Sequence, residues 1–524
     1  MNRIKILFGI IGAGAILASC SKKALDNVNA NVNNAPDVPA KFILTDAMTA
    51  TAFNAVGGDA NTYVSIYNEY EVGDYEQLYQ AETRSGSATV SSTYDNLWQQ
   101  IYQNIKNLKI AVAKTSPGGA EAGNDVSGGI ARVLLAYNLG VLTDLFGDAP
   151  YSQVGILTAS GTPEYMQPQI DKQQDLYKEI NAQLDSAITL LQGTDGAGTG
   201  SIGAQDLIYG GDASLWTEAA YGLKARYLMH TLFVSTNKTA DLNSIVSYTN
   251  KSFGSAAEEF VYNQYNGSNT YNPFDAYNES RPGDFALSLS LATKFQQLND
   301  PRGNASFGDW DGSQLSIDDA VAEGAPNGTP NQGQTIYPLS IVNFAVTAPT
   351  ELLSYHELLF LKAEALVRLG KTSDALPVLQ AAIEDAFAGL NNAINIATPY
   401  YGFDTGPGLS TADADNYFTN YVTPRFKANP IQEVMLQKYL AFYGAAGESV
   451  ESFNDYRRLL AMGENSFTGA SFVTLANPLN AKKQYPLRFA YGASDVTTNN
   501  NIKTAYGNGQ YVFTDPVWWA GGTH

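Results

Sequence analysis

Cysteine, histidine and positive charge are all scarce in this sequence, and each shortage excludes a class of protein. One cysteine, Cys20, among 524 residues excludes an intramolecular disulfide. The 51 acidic and 31 basic residues give a net charge of −20, whereas nucleic-acid binding requires a basic footprint. The three histidines are far apart and no HExxH pattern occurs, so we expect no zinc site and no other resident cofactor.

Long apolar runs are also rare, which limits how the chain can meet a membrane. The apolar stretch 129–152 is interrupted by Arg132, Asn138 and Asp144, whereas a membrane span needs about 20 mostly apolar residues. Apolar residues cover nearly all sides of this stretch at helical spacing. The pattern predicts a central helix that is buried in the protein and stops at Gly147.

The N-terminus has the anatomy of a lipoprotein signal. Arg3 and Lys5 precede the apolar segment 6–16, and residues 17–20 (LASC) fit a lipobox. We predict cleavage before Cys20, whose acyl chains would form the only membrane anchor. The predicted division is a lipoprotein signal peptide at 1–19, a lipid-anchored tether at 20–40 and a single domain at 41–524.

Helical periodicity covers most of the body and predicts a mainly helical protein. Apolar residues recur at i, i+3, i+4 and i+7 in eight further segments. These predicted helices are 41–56, 96–113, 171–191, 207–233, 351–369, 372–387, 432–443 and 448–460. Several are joined by short turns and should pack as pairs, and the pair within 351–387 resembles one tetratricopeptide unit of about 34 residues.

Acidic residues on these helices are placed for ion pairs. Glu364 can pair with Arg368 at i, i+4, and Glu451, Asp455 and Arg458 recur at i, i+4 and i+7 on one helix face. We expect both groups to fix helix packing, and we assign them no acid–base chemistry.

Two segments, 59–96 and 254–350, lack the helical period and are rich in aromatic residues. Irregular segments of such length are uncommon inside a compact protein and are often functional. We expect loops and short helices in the first, and one helix near 286–298 in the second. Aromatic side chains on the regular helices should be buried, so rings that stack on a ligand should come from these two segments.

A series of short motifs resembles the SusD/RagB family of nutrient-binding lipoproteins, in order over about residues 25–510. The residues that carry the resemblance are Arg132, Ala136, Leu142, Phe146, Gly147, Asp148, Pro150 and Tyr151, with the segments 206–212, 299–302 and 451–458. The resemblance implies an all-α fold, in which four tetratricopeptide-like helix pairs form a superhelix that supports a loop-rich ligand-binding face. It also implies capture of glycans or peptides without catalysis, on the outside of the outer membrane, and their delivery to a TonB-dependent transporter of the SusC type.

The resemblance further implies that the two irregular segments converge on one ligand-binding face. The candidate ligand-binding residues are Tyr70, Tyr75, Tyr79, Tyr271, Tyr277 and Trp310. Nearby polar side chains that could hydrogen-bond a ligand are Asn269, Asn272, Asp309 and Arg281. Asp309, Asp311 and Gly312 indicate a turn around Trp310.

Three alternatives stay open from the sequence. A surface-anchored glycan hydrolase would need two carboxylates at a set separation, and 51 acidic residues allow many combinations. A structural calcium ion is a weaker alternative, with candidate ligands Asp309, Asp311, Asp318 and Asp319 outside any EF-hand pattern. A purely structural assembly protein would neither bind nor hydrolyse a glycan.

Overall fold

The computed structural model describes residues 38–523, except 159–161, 199, 405–407 and 445. The predicted signal peptide, Cys20 and nearly all of the predicted tether lie outside the described residues. From Ala40 onward the chain forms one compact unit.

Helices dominate the described chain, as the periodicity predicts. The α-helices are α1 (Ala40–Ala50), α2 (Asp59–Tyr67), α3 (Glu76–Glu82), α4 (Asp95–Thr115), α5 (Asp125–Phe146), α6 (Gln173–Leu190), α7 (Ala213–His230), α8 (Lys238–Thr249), α9 (Pro273–Ser280), α10 (Leu289–Leu298), α11 (Gly303–Ser306), α12 (Ile317–Glu323), α13 (Tyr355–Arg368), α14 (Thr372–Tyr401), α15 (Thr411–Tyr417), α16 (Thr423–Ala428), α17 (Pro430–Ala441), α18 (Ser449–Met462), α19 (Ala493–Thr498), α20 (Asn500–Tyr506) and α21 (Tyr511–Thr514). The chain also forms a π-helical turn, Thr51–Val56, directly after α1, and a 3₁₀ turn at Ile341–Phe344.

Helix α5 lies at the centre of the fold, which confirms the prediction of a buried central helix. All of its residues except Asp125 and Arg132 are buried. By length and composition it could cross a membrane, but 94% of its apolar window is buried inside the protein. A Cβ atom at Gly140 would lie 2.3 Å from the hydroxyl oxygen of Tyr227, so a larger residue there would displace the Tyr227 ring of α7. The helix ends at Gly147, whose φ of 80° suits glycine.

The remaining long helices pack on their neighbours in the chain. In sequence order, α1 packs on α4, α4 on α5, α5 on α6, α6 on α7, α7 on α8 and α13 on α14. The stripe predicted for α4 is buried at Leu97, Ile101, Ile105 and Leu108, and each such side chain contributes roughly 1.5–3 kcal/mol to folding. The all-α prediction of packed helix pairs is therefore confirmed.

Several predicted helix boundaries are wrong for identifiable reasons. The predicted helix 207–233 begins only at Ala213, because the Asp212 side chain accepts hydrogen bonds from the first backbone amides of α7. The predicted helix 351–369 begins at Tyr355, because the residues before Ser354 form a strand. The predicted helix 372–387 continues to Tyr401, which places two tyrosines at its far end.

Short strands tie the irregular segments to each other and to the helices. The strands are β1 (Glu71–Gly73), β2 (Phe260–Tyr262), β3 (Phe285–Leu287), β4 (Phe307–Gly308), β5 (Leu339–Ser340) and β6 (Thr350–Leu353). They form three antiparallel pairs, β1 with β3, β2 with β6 and β4 with β5. Segment 59–96 has the predicted loops and short helices. Segment 254–350 contains α9, α11 and α12 besides the predicted helix near 286–298, so it is more regular than predicted.

Ion pairs buried between the helices fix their packing. Glu364 accepts a hydrogen bond from Arg368 at 2.7 Å, as predicted, and two more from Arg458 at 2.6 and 2.7 Å. Arg458 also contacts Asp455 at 2.8 Å. The prediction that Glu451 belongs to this network is wrong, because its carboxylate instead lies 2.8 Å from the Nε2 atom of His230.

Candidate functional site

Strands β1 and β3 bring the two irregular segments together. Glu71 pairs with Leu287, and Gly73 pairs with Phe285. The ladder places the start of α3 beside the end of α9, where the Arg281 guanidinium lies 3.8 Å from the Glu76 carboxylate. The predicted convergence of residues 59–96 and 254–350 is therefore present in the fold.

Four aromatic side chains cluster beyond this ladder, and we call them the aromatic platform: Trp310, Phe344, Tyr401 and Phe403. The Tyr401 ring centroid lies 4.3 Å from that of Phe344 and 4.7 Å from that of Phe403. The Trp310 ring meets Phe344 and Tyr401 edge-on at 6.3 and 6.5 Å. Phe344 and Phe403 are buried and form the inner layer of the platform. Trp310 and Tyr401 are half-buried and form its outer layer, which solvent can reach.

The local sequence holds Trp310 in place on this platform. Its backbone amide donates to the Asp309 side chain at 2.7 Å, and its indole Nε1 donates to the Tyr337 carbonyl oxygen at 2.8 Å. The Asp311 carboxylate accepts from the Ser313 amide, and Gly312 has a φ of 89°. The turn predicted around Trp310 is therefore confirmed, and it fixes the orientation of the ring without burying it.

Tyr271 precedes α9 and Tyr277 lies within it, and this helix packs on the 3₁₀ turn that contains Phe344. The Tyr271 hydroxyl donates to the Ser268 carbonyl oxygen at 2.7 Å, and the Tyr277 hydroxyl donates to Asp284 at 3.2 Å. Both side chains are half-buried. Helix α9 begins at Asn272, whose side chain caps it by accepting from the Phe274 amide. Of the other predicted polar groups, Asn269 binds within its own loop, where it accepts a hydrogen bond from Asn266.

Tyr75 and Tyr79 belong to α3, where Tyr75 is the residue just before the first helical turn. Both are half-buried and lie on the same short helix as Glu76, which approaches α9. The contacts of α3 with α9 are made by Glu76, which lies near Arg281, and by Gln77, which hydrogen-bonds Tyr277.

Tyr70 lies in the protein core. It is 3% exposed, its ring packs on Tyr439 at 4.9 Å, and its hydroxyl forms 2.6 Å hydrogen bonds with the Tyr439 carbonyl oxygen and the Ser452 hydroxyl. The side chain therefore has no ring face open to a ligand. The ligand-binding role of all six chosen residues stays a prediction, and five of the six lie at the protein surface.

Sequence reasoning missed Phe344, Tyr400 and Tyr401. Phe344 lies in a 3₁₀ turn, and the two tyrosines close a helix that was expected to end at Phe387. Tyr400 is 43% exposed. The usable signal was the sequence Tyr400–Phe403, in which three aromatics surround Gly402, a glycine with a φ of 91° that terminates α14.

The four aspartates considered for calcium serve local structure. Asp309 and Asp311 accept backbone amide hydrogen bonds in their turn. Asp318 accepts from Gln296, and Asp319 accepts from the Ser316 hydroxyl at the start of α12. Among the described residues, the groups close enough together to hold a metal ion surround His230 and His356 and include none of these four.

The two histidine clusters lie among the helices, away from the platform. His230 contacts Asp144 through Nδ1 at 3.2 Å and Glu451 through Nε2 at 2.8 Å. Burial lowers the pKa of His230, but the carboxylates of Glu451 and Asp144 outweigh it and raise this pKa to about 9. His356 contacts Glu448 at 3.0 Å and Asp385 at 3.3 Å. Such doubly paired histidines account for both clusters as structural ion pairs.

Comparisons with known proteins agree with this architecture. The sequence model of the SusD-like family, whose description is "starch-binding associating with outer membrane", matches residues 33–491. A SusD/RagB family protein of Bacteroides thetaiotaomicron is 44% identical, with a TM-score of 0.86, and the match covers 93% of this chain and 100% of that one.

More distant solved structures share the fold. A chitin-binding protein is 20% identical with a TM-score of 0.66, over 91% of this chain and 99% of that one. A SusD homologue of Bacteroides fragilis is 18% identical with a TM-score of 0.67, over 93% of this chain and 100% of that one. No curated protein matches the chain. The extent of the family match and the 44% identity show that the chain belongs to the SusD/RagB family of outer-membrane-associated binding proteins.

Proposed function

We propose that this protein is a surface lipoprotein that captures oligosaccharides at the outer membrane and passes them to a TonB-dependent transporter without hydrolysing them. The observation that carries the proposal is the aromatic platform, where Trp310 of the second irregular segment and Tyr401 at the end of α14 present half-buried rings. A flat ring offers an apolar surface to the C–H face of a sugar, and polar groups beside it can bind hydroxyl groups. Peptide capture is the other outcome that the family resemblance allows.

The first test is binding without turnover. The detergent-solubilised full-length protein is run through native gels that contain starch, xylan, galactomannan or hydroxyethyl cellulose, and the same glycans are incubated with it and analysed by chromatography. We expect retardation by at least one glycan and no new reducing ends. New reducing ends would instead support the surface hydrolase. No retardation, combined with binding of a peptide mixture, would favour peptide capture.

Two further experiments address anchoring and delivery. Cys20→Ser should leave a folded protein that no longer fractionates with membranes, because the lipid is the only attachment that the sequence predicts. A variant that stays in the membrane fraction would contradict the anchor. Co-purification of the native protein from solubilised outer membrane should recover a β-barrel transporter, whereas recovery of a lone monomer would contradict the delivery step.

A further inference from the structure

The two irregular segments carry most of the net negative charge of the chain. Residues 59–96 and 254–350 contain eighteen acidic and four basic side chains, a balance of −14 out of the net −20. The stretch from Gly303 to Leu361 has no lysine or arginine at all. The second of these segments supplies Trp310 and Phe344 of the platform.

The four basic side chains in these segments are buried or contact neighbouring residues of the protein. Arg84 and Arg302 are buried, and Arg302 pairs with Asp300 at 2.7 Å. Lys294 is half-buried and donates to the Ser290 hydroxyl at 2.6 Å. Within the two segments, all of whose residues the structure describes, Arg281 is the only exposed cation, and its guanidinium lies 3.8 Å from both Glu76 and Asp284.

Two acidic residues of α9 lie near the outer layer of the platform. Glu279 is exposed on α9 and acts electrostatically on both Tyr400 and Tyr401. One turn earlier, Asp275 is 1% exposed, and neither of its carboxylate oxygens has a hydrogen-bond partner among the described residues. Burial, with a smaller contribution from Glu279, raises the pKa of Asp275 to about 7.

Two more carboxylates adjoin platform residues in the chain, Asp311 next to Trp310 and Asp404 next to Phe403. Asp311 is exposed in the turn that holds Trp310, and Asp404 is exposed where its backbone amide donates to the Gly312 carbonyl oxygen at 2.8 Å. A ligand stacked on Trp310 and Tyr401 would therefore have exposed carboxylates near it, with no unpaired cation from the two segments to bind an anionic group.

From this distribution we propose that the ligand is a neutral or amino-bearing oligosaccharide, and that uronic-acid and sulfated glycans are rejected at this face. The proposal rests on the glycan-binding function proposed above. A carboxylate or sulfate on a sugar would meet like charges, and Arg281, the one exposed cation of the two segments, already lies near Glu76 and Asp284. Neutral hydroxyl groups can instead donate hydrogen bonds to the carboxylates, and an ammonium group would pair with them.

The test uses native gels with matched polysaccharides on full-length protein in detergent at low salt. Hydroxyethyl cellulose and starch are the neutral probes, chitosan is the cationic probe, and carboxymethyl cellulose, polygalacturonate and chondroitin sulfate are the anionic probes. We expect retardation by a neutral or cationic probe and at least tenfold weaker binding of every anionic probe. Equal or tighter binding of an anionic probe would overturn the inference while leaving glycan capture intact. Retardation by no probe would overturn the proposed function, and this inference with it.

A charge-reversal variant distinguishes selectivity that arises from the charges of this face from selectivity that arises from the net charge of the protein. Glu279→Lys with Asp311→Lys should improve the binding of anionic relative to neutral probes at least tenfold, and salt should reduce the gain because exposed charges are screened. The control is Asp46→Lys with Asp175→Lys, which changes the net charge equally at exposed positions on α1 and α6. An equal gain in the control would show that selectivity follows net charge and would overturn the assignment to the face.

Discussion

The carboxylates of the helix-packing core are paired with cations, whereas those of the ligand face are exposed or lack a hydrogen-bond partner among the described residues. In the core, Glu364 is fully buried between Arg368 and Arg458, and Glu451 lies against His230. At the face, Glu279 and Asp311 are exposed, and Asp275 is buried without a hydrogen-bond partner among the described residues. Removing one partner of a buried ion pair is strongly destabilising, so the paired carboxylates of the core hold the helices together. The exposed carboxylates of Glu279 and Asp311 are accessible to a ligand.

The largest effect should follow from breaking the core network at Glu364. Glu364→Gln removes the charge that balances Arg458 and Arg368, and loss of one partner of a buried ion pair costs about 3–5 kcal/mol of unfolding free energy. Chemical denaturation followed by circular dichroism measures the change. The matched control is Glu279→Gln at the exposed face, which should shift stability by less than about 0.5 kcal/mol. Similar losses in both variants would remove the contrast between the two regions.

The second effect is a dependence of core stability on pH. The folded-state pKa of His230, about 9, lies above its ordinary value of 6.5, so its contribution is complete below pH 6.5 and is lost as pH rises towards 9. Burial raises the pKa of Glu451, but Arg226 and His230 outweigh this and lower it to about 2, so its contribution is present above pH 4.5 and is lost as pH falls towards 2.

These two shifts place the maximum contribution of the cluster between about pH 4.5 and 6.5. Denaturation midpoints measured from pH 4 to 9.5 should decline above 6.5, and His230→Gln should flatten that decline. A wild-type midpoint that rises between pH 6.5 and 9 would contradict the paired arrangement of His230 with Asp144 and Glu451.

A smaller effect sharpens the distinction between core and surface tyrosines. Tyr70→Phe removes the hydroxyl that bonds Tyr439 and Ser452, which should lower the unfolding free energy by about 1–2 kcal/mol. Tyr79→Phe, on the half-buried side of α3, serves as the control and should leave stability nearly unchanged. Glycan affinity should be the same for Tyr70→Phe and the wild type, and a loss of affinity in a folded Tyr70→Phe protein would return Tyr70 to the binding site.

Sequence reasoning located the helices better than the face, because their apolar stripes are local signals. The stripe of α4 and the nearly all-round apolar surface of α5 depend only on spacing, and both helices are found where predicted. The burial of Tyr70 depends on Tyr439, which is 369 residues away, and no local pattern reports such a contact. Likewise, Tyr401 joins Trp310 only because α14 continues far beyond Phe387.

The central claim, that the aromatic platform binds the glycan, is tested most directly at Trp310. Calorimetric titration with the neutral glycan identified in the gels should show that Trp310→Ala loses about 2 kcal/mol of binding free energy, or roughly 30-fold in affinity. Its helical circular dichroism should stay unchanged. Tyr421→Ala, which removes a 41% exposed tyrosine outside both segments, should bind within twofold of the wild type. Unchanged affinity in a folded Trp310→Ala protein would contradict the account.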